Sequence, residues 1–380
     1  MKKTLLVAAL VAGFAGAAQA ETSVTLYGLL DSGIGYQQFK GTNAAGNSYK
    51  GTNTGILNGA QSSNRWGLKG AEDLGQGLKA VFVLESGFNI NDGTSGQSNR
   101  LFGRQATVGL ASDAWGQLDF GRQTNIASKY FSGVATPFGN DFSQAQTGAA
   151  FSSAASLRYD NMVMYQTPNF SGFQFGVGYS FNANGPQQFK VSGDNEPNTR
   201  AWTTGLRYGN GPIAAALTYD QFKSPEGAGA NDGVSVKSWN LGASYDFEIV
   251  KVHAGFGQTR NGWFGDVSSL KIVDDTGAQL GNNALQANDG LKVNSYALGL
   301  SAPVGANGKV LAGWTMADPR SNGVRNGTTE LSKQQTYSLA YTYALSKRTN
   351  VYALGSYAKH VAFRDDLKST FVGAGVRHQF

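Results

Sequence analysis

Large side chains alternate with small polar ones in one segment of this chain after another. In one such segment the large or apolar residues occupy every second position: Trp239, Leu241, Ala243, Tyr245 and Phe247. Asn, Gly, Ser and Asp fill the positions between them. Alternation with a period of two residues indicates β-strands whose two faces meet different surroundings. Sixteen segments follow this pattern, with starts near residues 22, 62, 77, 101, 115, 156, 170, 201, 212, 236, 249, 291, 308, 333, 349 and 368.

The connections between these segments alternate strictly between short and long. Seven are short and rich in Gly, Asn or Pro, which suits tight turns: 74–77, 112–116, 169–172, 210–212, 247–248, 306–308 and 346–350. Eight are long and polar: 37–61, 89–100, 124–155, 182–200, 223–235, 260–290, 318–332 and 360–367. Membrane β-barrels have this asymmetry, with short periplasmic turns and long outer loops, whereas a soluble sandwich has no reason for it.

A lipid environment would also explain why so many apolar stripes occur in one chain. Inside a bilayer every backbone N–H and C=O must be paired within the protein, so strands can span it only as a closed barrel. The small polar faces would then line water, because a barrel of about 16–18 strands is too wide for side chains to fill. We therefore predict an all-β fold, a 16-stranded antiparallel transmembrane β-barrel around an aqueous channel.

The first twenty residues are predicted to be a secretory signal peptide. Lys2 and Lys3 precede an apolar segment over residues 5–18, and Ala18-Gln19-Ala20 matches a cleavage site. An N-terminal membrane anchor fits less well, because the apolar segment is too short to span. The predicted domains are the cleaved segment 1–20 and the barrel 21–380. Cleavage lowers the net charge from +6 to +4, too mild to indicate nucleic-acid binding.

The composition leaves little material for catalysis or metal binding. The chain has no Cys, which excludes a thiolate metal site, and three His residues: His253, His360 and His378. None of them lies in a recognisable catalytic motif. We expect no enzymatic activity, no catalytic residue, no metal ligand and no cofactor.

Several segments resemble one known family. They read VTLYG at 24–28, SNRWGLKGAEDLG at 63–75, LKAVFVLE at 78–85, RQATVGL at 104–110, GRQ at 121–123 and GVRHQF at 375–380. The chain resembles the Gram-negative general porins, and among them the beta-proteobacterial branch. The resemblance implies a multi-pass barrel in the outer membrane, a homotrimer in contact with lipid and lipopolysaccharide, that passes small hydrophilic solutes and ions.

The resemblance also implies that the third long loop folds into the barrel and narrows it. Here that loop is the long segment over residues 124–155, and it contains the sequence TPFGNDF at 136–142. Phe138 and Asp141 are its candidate constriction residues. The acidic residue that family members often carry beside the Phe is missing, so Asp141 is the obvious acidic group nearby.

Basic residues on the barrel wall complete the constriction that the resemblance implies. By motif position Arg65 and Arg104 should face the lumen, and the alternation of Arg65 with Trp66 supports this. Arg158, on the strand that leaves the loop, is a third candidate, and Glu85 is expected on the acidic side. Opposed charges at a constriction set ion preference, and charges on the lipid face would cost about 2–4 kcal/mol.

The sequence therefore predicts a passive outer-membrane channel for small hydrophilic solutes and ions. Constriction size and wall charge would make it weakly selective, with a preference for anions. Two alternatives stay open: a substrate-specific porin with a dedicated site in its lumen, and a barrel that acts mainly as an adhesin or structural surface protein.

Overall fold

A computed structural model describes residues 23–43, 45–227, 232–264, 273–276, 286–323 and 330–380. The predicted signal peptide lies outside the described residues. Among those residues no helix is long and apolar enough to cross a membrane.

Seventeen strands in the described part of the chain form one sheet. They are β1 Ser23–Thr42, β2 Ser48–Asn58, β3 Arg65–Gly75, β4 Leu78–Gly87, β5 Gln105–Ser112, β6 Gly116–Thr124, β7 Arg158–Gln166, β8 Phe173–Ser180, β9 Arg200–Asn210, β10 Ile213–Lys223, β11 Ser235–Asp246, β12 Lys251–Arg260, β13 Leu291–Val304, β14 Gly308–Asn322, β15 Gln334–Ala344, β16 Thr349–Lys359 and β17 Lys368–Gln379. All pairings are antiparallel, and β1 pairs with β17, so the sheet closes on itself. Closure leaves the wall without a free edge, as hydrocarbon requires.

The wall contains sixteen strands because β2 and β3 share one place in it. β1 pairs with β2 through its C-terminal half, from Ser32 to Thr42, and with β3 through its N-terminal end, from Ser23 to Leu29. β2 and β3 are thus the two halves of one wall strand, separated by residues 59–64. The predicted sixteen-stranded antiparallel barrel is confirmed, and each predicted start lies within four residues of an observed one.

One predicted loop is wrong. Most of the segment 37–61 is strand, since β1 runs to Thr42 and β2 covers Ser48–Asn58. The two form an antiparallel hairpin, paired from Ser32 opposite Asn58 to Thr42 opposite Ser48. The Gly, Asn and Thr residues of β2 give no apolar stripe, although β2 pairs along its length with the half of β1 that also pairs with β17. Periodicity therefore could not reveal it.

The two faces of the wall have burial opposite to that of a soluble sheet. On β11, Trp239 and Leu241 are 37% and 51% exposed, whereas Ser238 and Asn240 are each 1% exposed. Large apolar residues thus point outward and small polar residues point inward, as expected for a barrel with lipid outside.

Most of the helical turns lie in the connection between β6 and β7, and they pack inside the barrel. The short helices are α1 Gly96–Asn99, α2 Ile126–Tyr130 and α3 Ser132–Ala135, with 3₁₀ turns at Ser143–Ala145, Thr147–Ala149, Ser152–Ala154 and Val361–Phe363. Glycines on the wall let this loop approach. A Cβ on Gly242 would lie 2.9 Å from the Phe131 ring, and one on Gly299 would lie 2.3 Å from Pro137. The third loop therefore folds inward.

Candidate functional site

A polar cavity of about 580 Å³ lies between the inward-folded loop and one side of the wall. Four of the described residues that line it are cationic: Arg65, Arg104, Lys129 and Arg158. The loop contributes Asp141. The structure thus brings four of the six predicted constriction residues to one cavity, together with Lys129, which the sequence did not predict.

The strands explain why the three arginines meet. Arg65 and Arg158 are the first residues of β3 and β7, and Arg104 directly precedes β5. The Arg104 N–H donates to the Glu85 backbone oxygen at 3.2 Å, which joins the start of β5 to the end of β4. Trp66, the next residue after Arg65, packs edge-on against Phe102 at 6.4 Å between ring centroids.

Glu85 does not lie on an acidic side of the pore, which corrects the sequence prediction. Its Oε1 accepts from Arg104 Nε at 2.6 Å, and its Oε2 accepts from the Tyr27 hydroxyl at 3.0 Å. The cause is the strand register, which pairs Glu85 with Gln105, next to Arg104. Arg104 is only 8% exposed, so Glu85 is its counter-ion on the basic wall.

Asp141 brings a negative charge from the loop toward this wall. Its backbone N–H donates to the Phe138 carbonyl at 2.9 Å, which fixes a turn at the loop tip. Burial raises the pKa of the Asp141 carboxyl above its usual value, against the opposing effect of the guanidinium groups of Arg65 and Arg377. The carboxyl is therefore partly desolvated and surrounded by positive charge.

Phe138 does not line the cavity, and this corrects its predicted placement. The ring is 3% exposed and packs edge-on against Phe142 at 5.6 Å between centroids. A Cβ on Gly313 of β14 would lie 2.8 Å from the Phe138 ring. Phe138 thus anchors the loop to the far wall, because a glycine there leaves room for an aromatic ring.

Two further cations belong to this region, and sequence reasoning missed them. Lys129, in α2, lies 3.1 Å from Gln123 Oε1 and 3.2 Å from Met164 Sδ. Burial lowers the pKa of Lys129 to about 8. Arg377 Nε donates to the Ser62 hydroxyl at 3.1 Å. Strand alternation could have revealed Arg377, but Lys129 lies in a helical turn where that period does not apply.

The described residues show where the three histidines are engaged. His253 Nδ1 lies 3.0 Å from the Val134 carbonyl of the inward loop, and His378 Nδ1 lies 2.8 Å from the Thr349 hydroxyl. His360 Nε2 lies 3.5 Å from Asp365 Oδ1. In the part of the chain that the structure describes, no three His, Asp or Glu side chains gather as metal ligands would. The lining offers a passing solute the positive charges of Arg65, Arg104, Lys129 and Arg158 and the carboxyl of Asp141.

Comparison with known proteins agrees with the fold. A family model described as Gram-negative porin matches residues 6–360. An outer membrane porin protein of Bordetella pertussis is 53% identical, and outer membrane porin protein 32 of Delftia acidovorans is 33% identical; each alignment covers 100% of both chains. The solved anion-selective porin from Comamonas acidovorans is 29% identical with a TM-score of 0.67, over 94% of this chain and 100% of that one. This chain belongs to the Gram-negative porin family and is a passive channel of the Gram-negative outer membrane.

Proposed function

We propose that small hydrophilic solutes and ions pass through the basic cavity, and that anions pass more readily than cations. The charge balance of the lining carries this proposal. Among the described lining residues four are cationic, whereas Asp141 is acidic. Fixed wall charge of one sign selects permeating ions of the opposite sign.

The arrangement of these charges supports weak rather than strict selectivity. Glu85 compensates Arg104 through the 2.6 Å ion pair, which leaves Arg65, Arg158 and Lys129 to act on a passing ion. Asp141, on the loop, opposes them in part. Charges of both signs around one passage create a transverse field, which orients dipolar solutes and weakens the preference for one sign.

A relative also supports the proposed preference. The Comamonas acidovorans porin, which shares 29% of its residues with this chain, is described as anion-selective. We propose the same preference here, with Arg65, Arg104 and Arg158 as wall residues of the constriction and Asp141 as its loop residue.

Reversal potentials in a planar bilayer test this function. With a salt gradient across the membrane, the reversal potential of an anion-preferring pore shifts toward the equilibrium potential of the anion. We expect large, ohmic steps whose selectivity weakens at high salt, since mobile ions screen the wall charges. A cation-signed reversal potential would contradict the proposal. Small currents blocked by one ligand would favour a substrate-specific porin, and absence of current would favour an adhesin.

We also propose that the channel is a homotrimer embedded in outer-membrane lipid and lipopolysaccharide. The outer face of β16 and β17 supports close approach of another copy, because Ala353, Gly355 and Ala374 line a shallow apolar groove of about 700 Å³. Small residues let two walls meet closely. Unboiled samples should migrate on gels as an oligomer that heating converts to a monomer; a monomer in mild detergent would contradict this.

A further inference from the structure

The second wall strand is interrupted, because the chain leaves the sheet after β2 and returns to it at β3. We call residues 59–64, between β2 and β3, the strand break. The backbone of β1 opposite the break stays paired through other groups: the Asp31 N–H donates to Asn64 Oδ1 at 2.6 Å, and the Asp31 carbonyl accepts from the Gly59 N–H at 3.0 Å. Asn64 Nδ2 also donates to that carbonyl at 3.1 Å. At the strand break, therefore, the backbone N–H and C=O of Asp31 keep hydrogen-bond partners, although none of the described strands pairs with Asp31 on that side.

The Asp31 side chain lies beneath the strand break and is fully buried, at 0% exposure. Its Oδ2 accepts from the Ser62 backbone N–H at 2.5 Å, and its Oδ1 accepts from the Tyr352 hydroxyl at 2.6 Å. A buried carboxylate makes strong charge-assisted hydrogen bonds and is costly to leave unpaired. Asp31 therefore holds the strand break in place through its hydrogen bond with the Ser62 backbone.

The strand break in turn holds the tip of the inward loop. The Phe142 N–H donates to the Gln61 carbonyl at 2.8 Å, and the Ser143 hydroxyl donates to the Ala60 carbonyl at 3.2 Å. The Phe142 ring packs edge-on against Tyr352, with centroids 6.2 Å apart. Tyr352 thus contacts both Asp31 and the loop tip.

The backbone of this tip needs external support. Phe142 and Ser143 both have positive φ, 66° and 49°, in the left-handed region that residues with a Cβ rarely adopt. Such a conformation persists where its surroundings determine it. Asp141 immediately precedes these two residues, so its position at the cavity depends on the same contacts.

We propose that Asp31 is a positioning residue for the pore. It holds the strand break in the lumen, and the break holds Asp141 and the loop tip at one distance from the basic wall. This inference rests on the proposed function only in taking that cavity as the conducting path. Asp31 does not line the cavity and acts through the residues above it.

The test compares two variants with the unaltered channel by single-channel recording. Asp31→Asn replaces one acceptor oxygen by an NH₂ group, and Tyr352→Phe removes a hydroxyl but keeps the ring. We expect Asp31→Asn to raise the ratio of time in conductance sublevels to time in the main level about tenfold, which corresponds to ~1.4 kcal/mol. Tyr352→Phe should shift it in the same direction by less.

A matched control separates position from charge. Asp318→Asn also removes a buried carboxylate from a wall strand, one that pairs with Arg320 at 3.1 Å and lies away from the strand break. It should add no sublevels. If both Asp31→Asn and Tyr352→Phe conduct in one steady level, the proposal is overturned. If Asp31→Asn does not fold, Tyr352→Phe decides alone. Sublevels do not depend on ion sign, so failure of the anion preference would leave this result readable.

Discussion

Glu85 Oε1 lies 2.6 Å from Arg104 Nε, so one of the arginines at the pore carries its own counter-ion on the neighbouring strand. The pair joins the end of β4 to the start of β5. It also determines how much positive charge a passing ion meets. The Arg104 side chain belongs to the wall, but the adjacent Glu85 carboxylate compensates most of its positive charge.

Removing this counter-ion should strengthen the preference for anions. In Glu85→Gln the Arg104 charge is no longer compensated. A unit charge about 8 Å from an ion changes the energy of that ion by roughly 0.5 kcal/mol in water, or about twofold in occupancy. The reversal potential should therefore move further in the anion direction. Asp113→Asn, an exposed periplasmic-turn variant, is the control and should not move it. A shift toward cations would contradict the assignment of Glu85.

Removing wall arginines should have the opposite effect. Arg65→Ser combined with Arg104→Ser takes away two charges, which changes the energy of a passing anion by about 1 kcal/mol and lowers its occupancy roughly fivefold at the same distance. The reversal potential should shift toward cations. Arg348→Ser alters an exposed turn residue and serves as the control. An unchanged ion preference in the double variant would mean that these arginines do not form the filter.

Lys129 should make selectivity depend on pH. Burial lowers its pKa to about 8, so the amine is mostly charged below that pH and becomes neutral as the pH rises through it. The anion occupancy of the pore should therefore fall about twofold between about pH 7 and pH 9, and the reversal potential should move toward cations. Lys129→Arg keeps its charge over this range and should remove the dependence. A pH response that persists unchanged in Lys129→Arg would assign it to another group.

Phe138 should matter for stability rather than for selectivity. Phe138→Ala removes a buried ring that packs on Phe142 and over Gly313, a change that typically costs about 3–5 kcal/mol. The temperature at which the folded form is lost on a semi-native gel should drop, while the reversal potential stays the same. An altered reversal potential with unchanged heat resistance would place the ring in the conducting path instead.

Much of the barrel could be predicted from the sequence because lipid and water impose a local rule on each strand. Alternation assigned Arg65 inward and Trp66 outward, and it gave the number of wall strands. That rule concerns one strand at a time. It could not give the partner of Glu85, which depends on the register between β4 and β5.

The remaining differences have the same kind of cause. The hairpin of β1 and β2 is held by backbone pairing and has no apolar stripe. Its sequence is therefore typical of a polar loop. Phe138 and Lys129 lie in a loop with irregular backbone, where no period indicates which way a side chain points. Asp31 could be assigned to the inner face by alternation, but its contact with Ser62 depends on a break in a strand that the sequence pattern does not reveal.

The reversal potential of single channels in a planar bilayer under a salt gradient tests the central claim most directly. An aqueous pore whose lining is predominantly basic should give stepwise, ohmic currents that reverse at a potential of the anion sign. Ohmic steps that reverse at the cation sign, or no steps at all, would contradict it.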